Sequence, residues 1–453
     1  MFKLSRIHGI KIHKKGPGLQ ARQIDSGYIT ANNTRKGIRL MKKTADPAGV
    51  HSEDTFSRRK FLYRGTAALS GLIVAPHSVR GAEANSKISV GLVGCGSRGA
   101  WIGGLFKEHG GYEVTACADY FQDKADAFGE KHGISPANRF TGLNGYKRLL
   151  ECKGLDAVII KSPPCFHPQQ IADAVDAGKH VYTAKPVSVD VPGCRTVAES
   201  AKKATKNKQV VFVDFQHRTD PFFQETVRRF HQGALGTVTF GEVFNHSGEY
   251  GMKVEPGTPE ARLKNWLCYK ALSGDYMVEI NIHTIDMMHW MFKKPPLYAI
   301  GSGGCTAKKP VGDNWDHFGI LFQYADNVPV VFTSKRYNDG VGELDKHQIV
   351  EIYGTEGRLQ TKYGGKCMIL GKNLYKGGKT TTLYRDGAIS NIATFHALIT
   401  SGDYTNASVE YGIASNLIAI MGRKAGYEKR LVTWDEIVKS DEIMDLQLNG
   451  LKA

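Results

Sequence analysis

Residues 87–119 limit what this chain can fold into more than any other stretch. They open on an apolar, β-branched run, 88–93, which reads as a buried parallel strand. Gly94-Cys95-Gly96-Ser97-Arg98-Gly99 follows at once in G-x-G-x-x-G spacing, and a helical segment then runs to Gly110-Gly111. A second strand, 112–117, delivers Asp119. In such a unit the first glycine allows the tight turn, the second lets a pyrophosphate approach the backbone, and the third lets helix and strand pack closely. The helix N-terminus adds unpaired N–H groups and partial positive charge for the phosphates. Asp119 stands twenty residues after Gly99, where a carboxylate grips a ribose 2′-hydroxyl and repels a 2′-phosphate. NAD is therefore favoured over NADP, a preference that Arg98 and Lys124 temper. The predicted cofactor-binding set is Gly94, Cys95, Gly96, Ser97, Arg98, Gly99 and Asp119.

The same rhythm continues. A helix is expected over 122–132, a loop through Thr141, a helix over 143–152 and a strand over 157–160. That strand ends in Lys161-Ser162-Pro163-Pro164-Cys165-Phe166-His167, a proline turn at the carboxyl edge, where open α/β sheets bind ligands. Ser162 and Pro163 are expected against the dinucleotide, and His167 either touches nicotinamide or substrate or caps the next helix. A helix over 168–177, a strand over 180–183, a helix over 192–205 and a strand over 209–214 complete the alternation. The reading is a doubly wound parallel sheet, a Rossmann domain over 86–214.

The formal charge of +16 suggests nucleic acid until its distribution is read: residues 1–85 hold 16 Lys+Arg against 5 Asp+Glu, and the remainder 44 against 39. That remainder has no basic stripe interleaved with aromatics, so no nucleic-acid partner is expected. The 8 cysteines are scattered without C-x-x-C or Cys/His clusters, so neither a metal site nor a disulfide framework is indicated. Ser57-Arg58-Arg59-Lys60-Phe61-Leu62 has the twin-arginine export pattern, an apolar run over 65–75 is too short to span a bilayer, and Ala82-Glu83-Ala84 offers a cleavage site. The expectation is a leader over 1–84, with 1–40 a mis-called start before Met41, and a periplasmic protein handed over by the twin-arginine machinery. A protein exported in folded form would carry its dinucleotide with it.

Residues 178–186, GKHVYTAKP, resemble the GKHVxxEKP signature of the Gfo/Idh/MocA oxidoreductases, the family of glucose–fructose oxidoreductase and inositol dehydrogenase. The resemblance implies that Lys185 lies beside nicotinamide and substrate, and the chain departs from it at Ala184, where the family usually has glutamate. It also implies a second, α+β domain built on a large, open, mostly antiparallel sheet whose exposed face pairs subunits. The sequence agrees: candidate strands at 237–245, 298–303, 319–324, 328–334 and 348–353 are joined by Gly, Asn and Asp turns within 215–394. A homo-oligomer, dimer or tetramer, follows from such edges and faces. Residues 395–453 are expected to be helical and to pack back on the Rossmann domain.

One helix, expected over 273–290, places Glu279, His283 and Asp286 at i, i+4 and i+7 on one face. The spacing alone fits surface residues as well as a site. The stretch is similar to the family's D-x-x-x-H-x-x-D helix, which implies that His283 accepts the proton and Asp286 contacts a substrate hydroxyl, with Glu279 where aspartate is usual. Trp266 and Tyr269, with Asn265, could line a sugar pocket or the core, and His217 and Arg218 are candidate substrate contacts at the hinge. The expected activity is NAD(P)-dependent oxidation of a secondary hydroxyl of a sugar, polyol or glycoside, with Lys185, Glu279, His283 and Asp286 as the catalytic set. The alternatives are redox-neutral glycoside cleavage by oxidation, elimination and re-reduction, or a non-catalytic sugar-binding protein with a structural dinucleotide.

Overall fold

The computed structural model describes residues 87–307, 312–340 and 347–453. The expected leader, with its twin-arginine motif and its 1–40 extension, lies outside the described residues.

Six short, apolar strands form the first sheet: β1 (Ile88–Val93), β2 (Tyr112–Asp119), β3 (Arg139–Thr141), β4 (Ala157–Ile160), β5 (His180–Ala184) and β6 (Val211–Asp214). Their order is β3-β2-β1-β4-β5-β6, and every pairing is parallel. This is the doubly wound order in which the chain reverses direction between β1 and β4, leaving a crevice beyond their carboxyl ends. β3 falls inside the expected loop; three half-buried residues, Arg-Phe-Thr, leave no periodicity to read.

The second sheet has nine strands in the order β14-β13-β12-β11-β7-β10-β9-β8-β15. They are β7 (Val238–Ser247), β8 (Tyr298–Gly304), β9 (His317–Gln323), β10 (Pro329–Arg336), β11 (Ile349–Gly354), β12 (Gly357–Lys362), β13 (Lys366–Gly371), β14 (Tyr375–Lys379) and β15 (Val432–Thr433). Only β7 and β10 pair in parallel; the other neighbours are antiparallel. The first five strands of this sheet match the expected ones within a few residues. Alternation buries Val243, Phe322, Phe332, Val350 and Ile352 on the inner face and leaves Ile300 and Val331 exposed on the outer one.

Two helices join the sheets, where one helical segment from 395 is expected. Leu383–Ser401 begins twelve residues earlier than that and packs Phe395 against Phe106, Tyr182 and Phe212 of the nucleotide lobe. Ala407–Glu428 then runs about 33 Å between the lobes. Its Asn416 accepts the Val187 N–H at 3.0 Å, and Arg423 donates to the carbonyls of Val189 and Gly274 at 2.9 and 3.0 Å.

The predicted helix over 273–290 is broken in two, Asp275–Glu279 and Ile282–Phe292. Ile280 and Asn281 form a turn in which both backbone N–H groups reach the Tyr276 carbonyl, at 3.0 and 2.8 Å. The Asn281 amide leaves the helical path to donate to Ser334 Oγ of β10 at 2.8 Å. Glu279 therefore ends one helix and His283 stands in the first turn of the next.

Candidate active site

The glycine loop has the geometry its motif requires. Gly94 has φ +93°, and a Cβ there would stand 2.6 Å from the Ser162 nitrogen. A Cβ on Gly99 would stand 1.8 Å from the Gly94 oxygen, whereas one on Gly96 would meet nothing within 4 Å, so the open side of the turn faces the crevice. No side chain caps the helix Ser97–His109, which leaves its first N–H groups available to an anion. Asp119 lies at the crevice edge, where Oδ2 accepts the Cys95 N–H at 2.7 Å and Oδ1 the Phe121 N–H at 2.9 Å. Burial raises its pKa, against the pull of those two donors.

A cavity of about 390 Å³ fills this crevice, lined by Gly96, Asp119, Ser162 and Pro163 and walled by Leu263 and Trp266. These residues fit a dinucleotide: a bare helix N-terminus, an open glycine and a carboxylate at the ribose position. Trp266 lines this crevice together with Lys253, Val254, Leu263 and Lys264. Asn265 holds that segment by accepting the Lys253 N–H at 2.7 Å, and Tyr269 packs under the Arg262 guanidinium at 4.2 Å. Arg98 turns towards β6, 3.7 Å from Asp214, with its guanidinium against the Trp101 and Tyr384 rings at 4.4 and 4.3 Å.

His167 does not face the crevice. It is 1 % exposed, and its two ring nitrogens sit 2.8 Å from the carbonyls of Pro186 and Ser162. Burial lowers its pKa to about 4, against those two carbonyls and in concert with the charges of Lys161 and Lys185. Its place is a tie between the turns that follow β4 and β5.

The second half of the site assembles across the lobes. Lys185, first residue after β5, donates to the Glu279 carbonyl at 2.6 Å and to Glu279 Oε1 at 3.2 Å. Burial raises the Glu279 pKa, against Lys185, and Glu279 Oε2 has no hydrogen-bond partner among the described residues. His283 Nδ1 has no hydrogen-bond partner among the described residues, and the ring packs by Tyr363 with centroids 5.4 Å apart. Its burial, reinforced by the Lys185 charge, holds its pKa well below the ordinary histidine value.

Asp286 and His217 are hydrogen-bonded to each other inside the protein. Asp286 is fully buried and accepts four hydrogen bonds: Arg218 Nε and Nη2 at 2.7 and 2.8 Å, His217 Nε2 at 2.7 Å and Ser415 Oγ at 2.7 Å. Burial alone would raise its pKa, but Arg218 and His217 hold it well below the usual carboxylate range. With both oxygens engaged, Asp286 ties the His283 helix to residues 217, 218 and 415. His217 is itself fully buried, and Arg218 lies on the Tyr411 ring at 3.7 Å.

The sequence reading omitted the ion pair of Lys161, 2.9 Å from Asp214, with both side chains sealed at 1 % and 3 % exposure. Its signal was available: Lys161 is the first residue after β4, as Lys185 is after β5. No cluster of three or more metal-ligating side chains occurs among the described residues.

Comparison with known proteins agrees with this architecture. Residues 88–215 match the oxidoreductase family with NAD-binding Rossmann fold, and residues 223–360 match the GFO/IDH/MocA C-terminal domain. The chain belongs to the Gfo/Idh/MocA family and is an NAD-binding oxidoreductase of that class. It is 23 % identical over 368 residues to a myo-inositol 2-dehydrogenase of Thermotoga maritima, covering 77 % of this chain and 99 % of the relative. An inositol 2-dehydrogenase of Rhizobium meliloti is 21 % identical over 76 % of this chain and 99 % of its own. The fold is shared with scyllo-inositol dehydrogenase from Lactobacillus casei bound to NAD(H) and scyllo-inositol: TM-score 0.61, 19 % identity, 77 % of this chain and 100 % of that one.

Proposed function

We propose that this protein oxidises a secondary hydroxyl of a sugar or polyol, with His283 as proton acceptor and Lys185 as the cation that stabilises the alkoxide. The observation that carries the reading is the Lys185–Glu279 pair, which ties the carboxyl edge of the nucleotide sheet to the helix pair bearing His283. Gly94 to Gly99, Asp119, Ser162 and Pro163 would hold the dinucleotide, which supplies the hydride acceptor. His283 stays neutral at physiological pH, the form a general base needs. The Lys185 ammonium stabilises negative charge most as the hydroxyl proton departs. Glu279 positions that ammonium, and the buried Asp286 network positions the imidazole.

The cofactor is held between turnovers. The segment 253–266 walls the crevice, and the Tyr120 hydroxyl donates to Glu260 at 3.2 Å while accepting the Lys452 N–H at 3.1 Å. The Lys452 carbonyl accepts the Leu143 N–H at 3.0 Å, so residues from three parts of the chain close over the Asp119 side. A held cofactor suits export in folded form by the twin-arginine route and a redox-neutral cycle, in which a second substrate or the product re-oxidises it. A second copy of the chain would cover the exposed sheet face that carries Phe240, Ile300 and Val331.

The test is protein purified without added cofactor, denatured and assayed for released dinucleotide by mass spectrometry. Stoichiometric NAD or NADH is expected. An empty site that binds NAD reversibly would defeat the held-cofactor reading. Turnover of inositols and aldoses that survives both Lys185→Ala and His283→Ala within a few-fold would defeat the catalytic one.

A further inference from the structure

Two arginines of the described residues are almost wholly buried, and only one has its charge answered. Arg423 is 5 % exposed, donates to two backbone carbonyls and feels the Asp275 carboxylate. Arg336, last residue of β10, is 3 % exposed and pairs with no carboxylate among the described residues. Its Nη1 donates to Ser247 Oγ at the end of β7, and its Nε has no acceptor among the described residues. The guanidinium lies 3.7 Å from the Tyr250 ring and 5.0 Å from the Tyr276 ring. Asp316, whose carbonyl accepts the Arg336 N–H at 2.7 Å, spends its carboxylate on Thr306, Ala307 and His317.

An arginine removed from water without an acid costs several kcal/mol, on the order of a broken buried pair. A site keeps such a charge where a ligand brings the anion. The surroundings lead to the residues of the proposed catalytic site. Ser334, one repeat before Arg336 on the same strand face, holds Asn281 beside Glu279. Tyr276 lies one helical turn before Glu279. Tyr250, 43 % exposed, covers the guanidinium from a loop whose next residues, Lys253 and Val254, line the dinucleotide crevice. A single guanidinium and a hydroxyl match the one negative charge and planar fork of a carboxylate.

We propose that Arg336, with Ser247 and Tyr250, is the anion subsite of the substrate pocket and that the substrate is an acidic sugar, its carboxylate on Arg336 and its reacting hydroxyl at His283. This rests on the catalytic reading of Lys185 and His283 given above.

The experiment is calorimetric titration of the NAD-loaded protein with D-glucuronate, D-galacturonate and D-gluconate, against D-glucose, D-galactose and D-glucose 6-phosphate. At least one carboxylate sugar is expected to bind ~10-fold or more tightly than its neutral counterpart, the effect of one charge-assisted pair. Arg336→Met should erase that difference while the melting temperature holds or rises, because an unanswered charge leaves the interior. Ser247→Ala and Tyr250→Phe, milder changes, should each reduce it. Equal binding of acid and neutral sugars, a preference that survives Arg336→Met, or tighter binding of the phosphate overturns the proposal. Arg336-dependent binding without nicotinamide reduction would keep the subsite and defeat the oxidoreductase reading. Oxidation of a neutral polyol indifferent to Arg336→Met would do the reverse.

Discussion

Lys161 and Lys185 occupy the same position on neighbouring strands, each the first residue after its strand, and each meets a carboxylate. Their surroundings differ. Lys161 and Asp214 are sealed at 1 % and 3 % exposure, and Asp214 also receives Asn391 at 2.8 Å and Gln216 at 3.3 Å. Lys185 and Glu279 keep 16 % and 13 % of their side chains exposed, and Glu279 Oε2 is unpartnered among the described residues. A buried ion pair with both carboxylate oxygens engaged is a joint. One with a carboxylate oxygen to spare, in partly exposed side chains, is equipped for chemistry.

Removing each lysine should separate the two roles, and the larger effect is on folding. Lys161→Ala leaves the buried Asp214 with only the longer 3.7 Å contact to Arg98 as counter-charge and should cost up to ~3–5 kcal/mol in chemical denaturation. Replacing both partners, Lys161→Met with Asp214→Leu, should recover most of that loss. A single variant as stable as wild type would erase the distinction. Lys185→Ala, in a site open to water, should instead keep its melting temperature within a few degrees and lose ~10²-fold or more in kcat. Equal losses of stability in the two single variants would make both pairs structural.

The next effect concerns the anchor below His283. Asp286→Asn cannot accept all four donors, so Arg218 loses its counter-charge and His217 competes for an acceptor. A loss of ~2–4 kcal/mol in stability is expected, from breaking a buried charged network. If Asp286 binds substrate directly, KM should rise with little change in stability, the reverse pattern.

The nucleotide half was legible because its constraints are local. Gly94, Gly96 and Gly99 act within six residues, and Asp119 follows at the end of the next strand. The helix carrying His283 was misread because its break depends on Ser334, 53 residues from Asn281. The Asp286 network draws on residues 217, 218 and 415, whose convergence no spacing reveals. β14 escaped because Gly and Lys leave no alternation to read in Tyr375-Lys376-Gly377-Gly378-Lys379. Trp266 and His167 carried residue types that suit a site, and only the packing around them decided which surface they serve.

The smallest effect is a pH signature of the sealed pair. Burial lowers the Lys161 pKa to about 8, Asp214 opposing, while an unfolded lysine titrates near ~10.4. Between those values the unfolded chain keeps a proton that the folded one has released, so unfolding takes up a proton and stability rises with pH. Each pH unit in that window is worth about 1.4 kcal/mol at most. Denaturation at pH 7.5, 8.5 and 9.5 should therefore show wild type gaining ~1–2 kcal/mol relative to the Lys161→Met/Asp214→Leu double variant. Below the folded pKa the two should run parallel, since Lys161 is protonated in both folded and unfolded states. A difference that stays flat through pH 9.5 would mean that Asp214 and its neighbours hold the Lys161 proton as firmly as water does, and the sealed joint would then differ from the open pair in exposure alone.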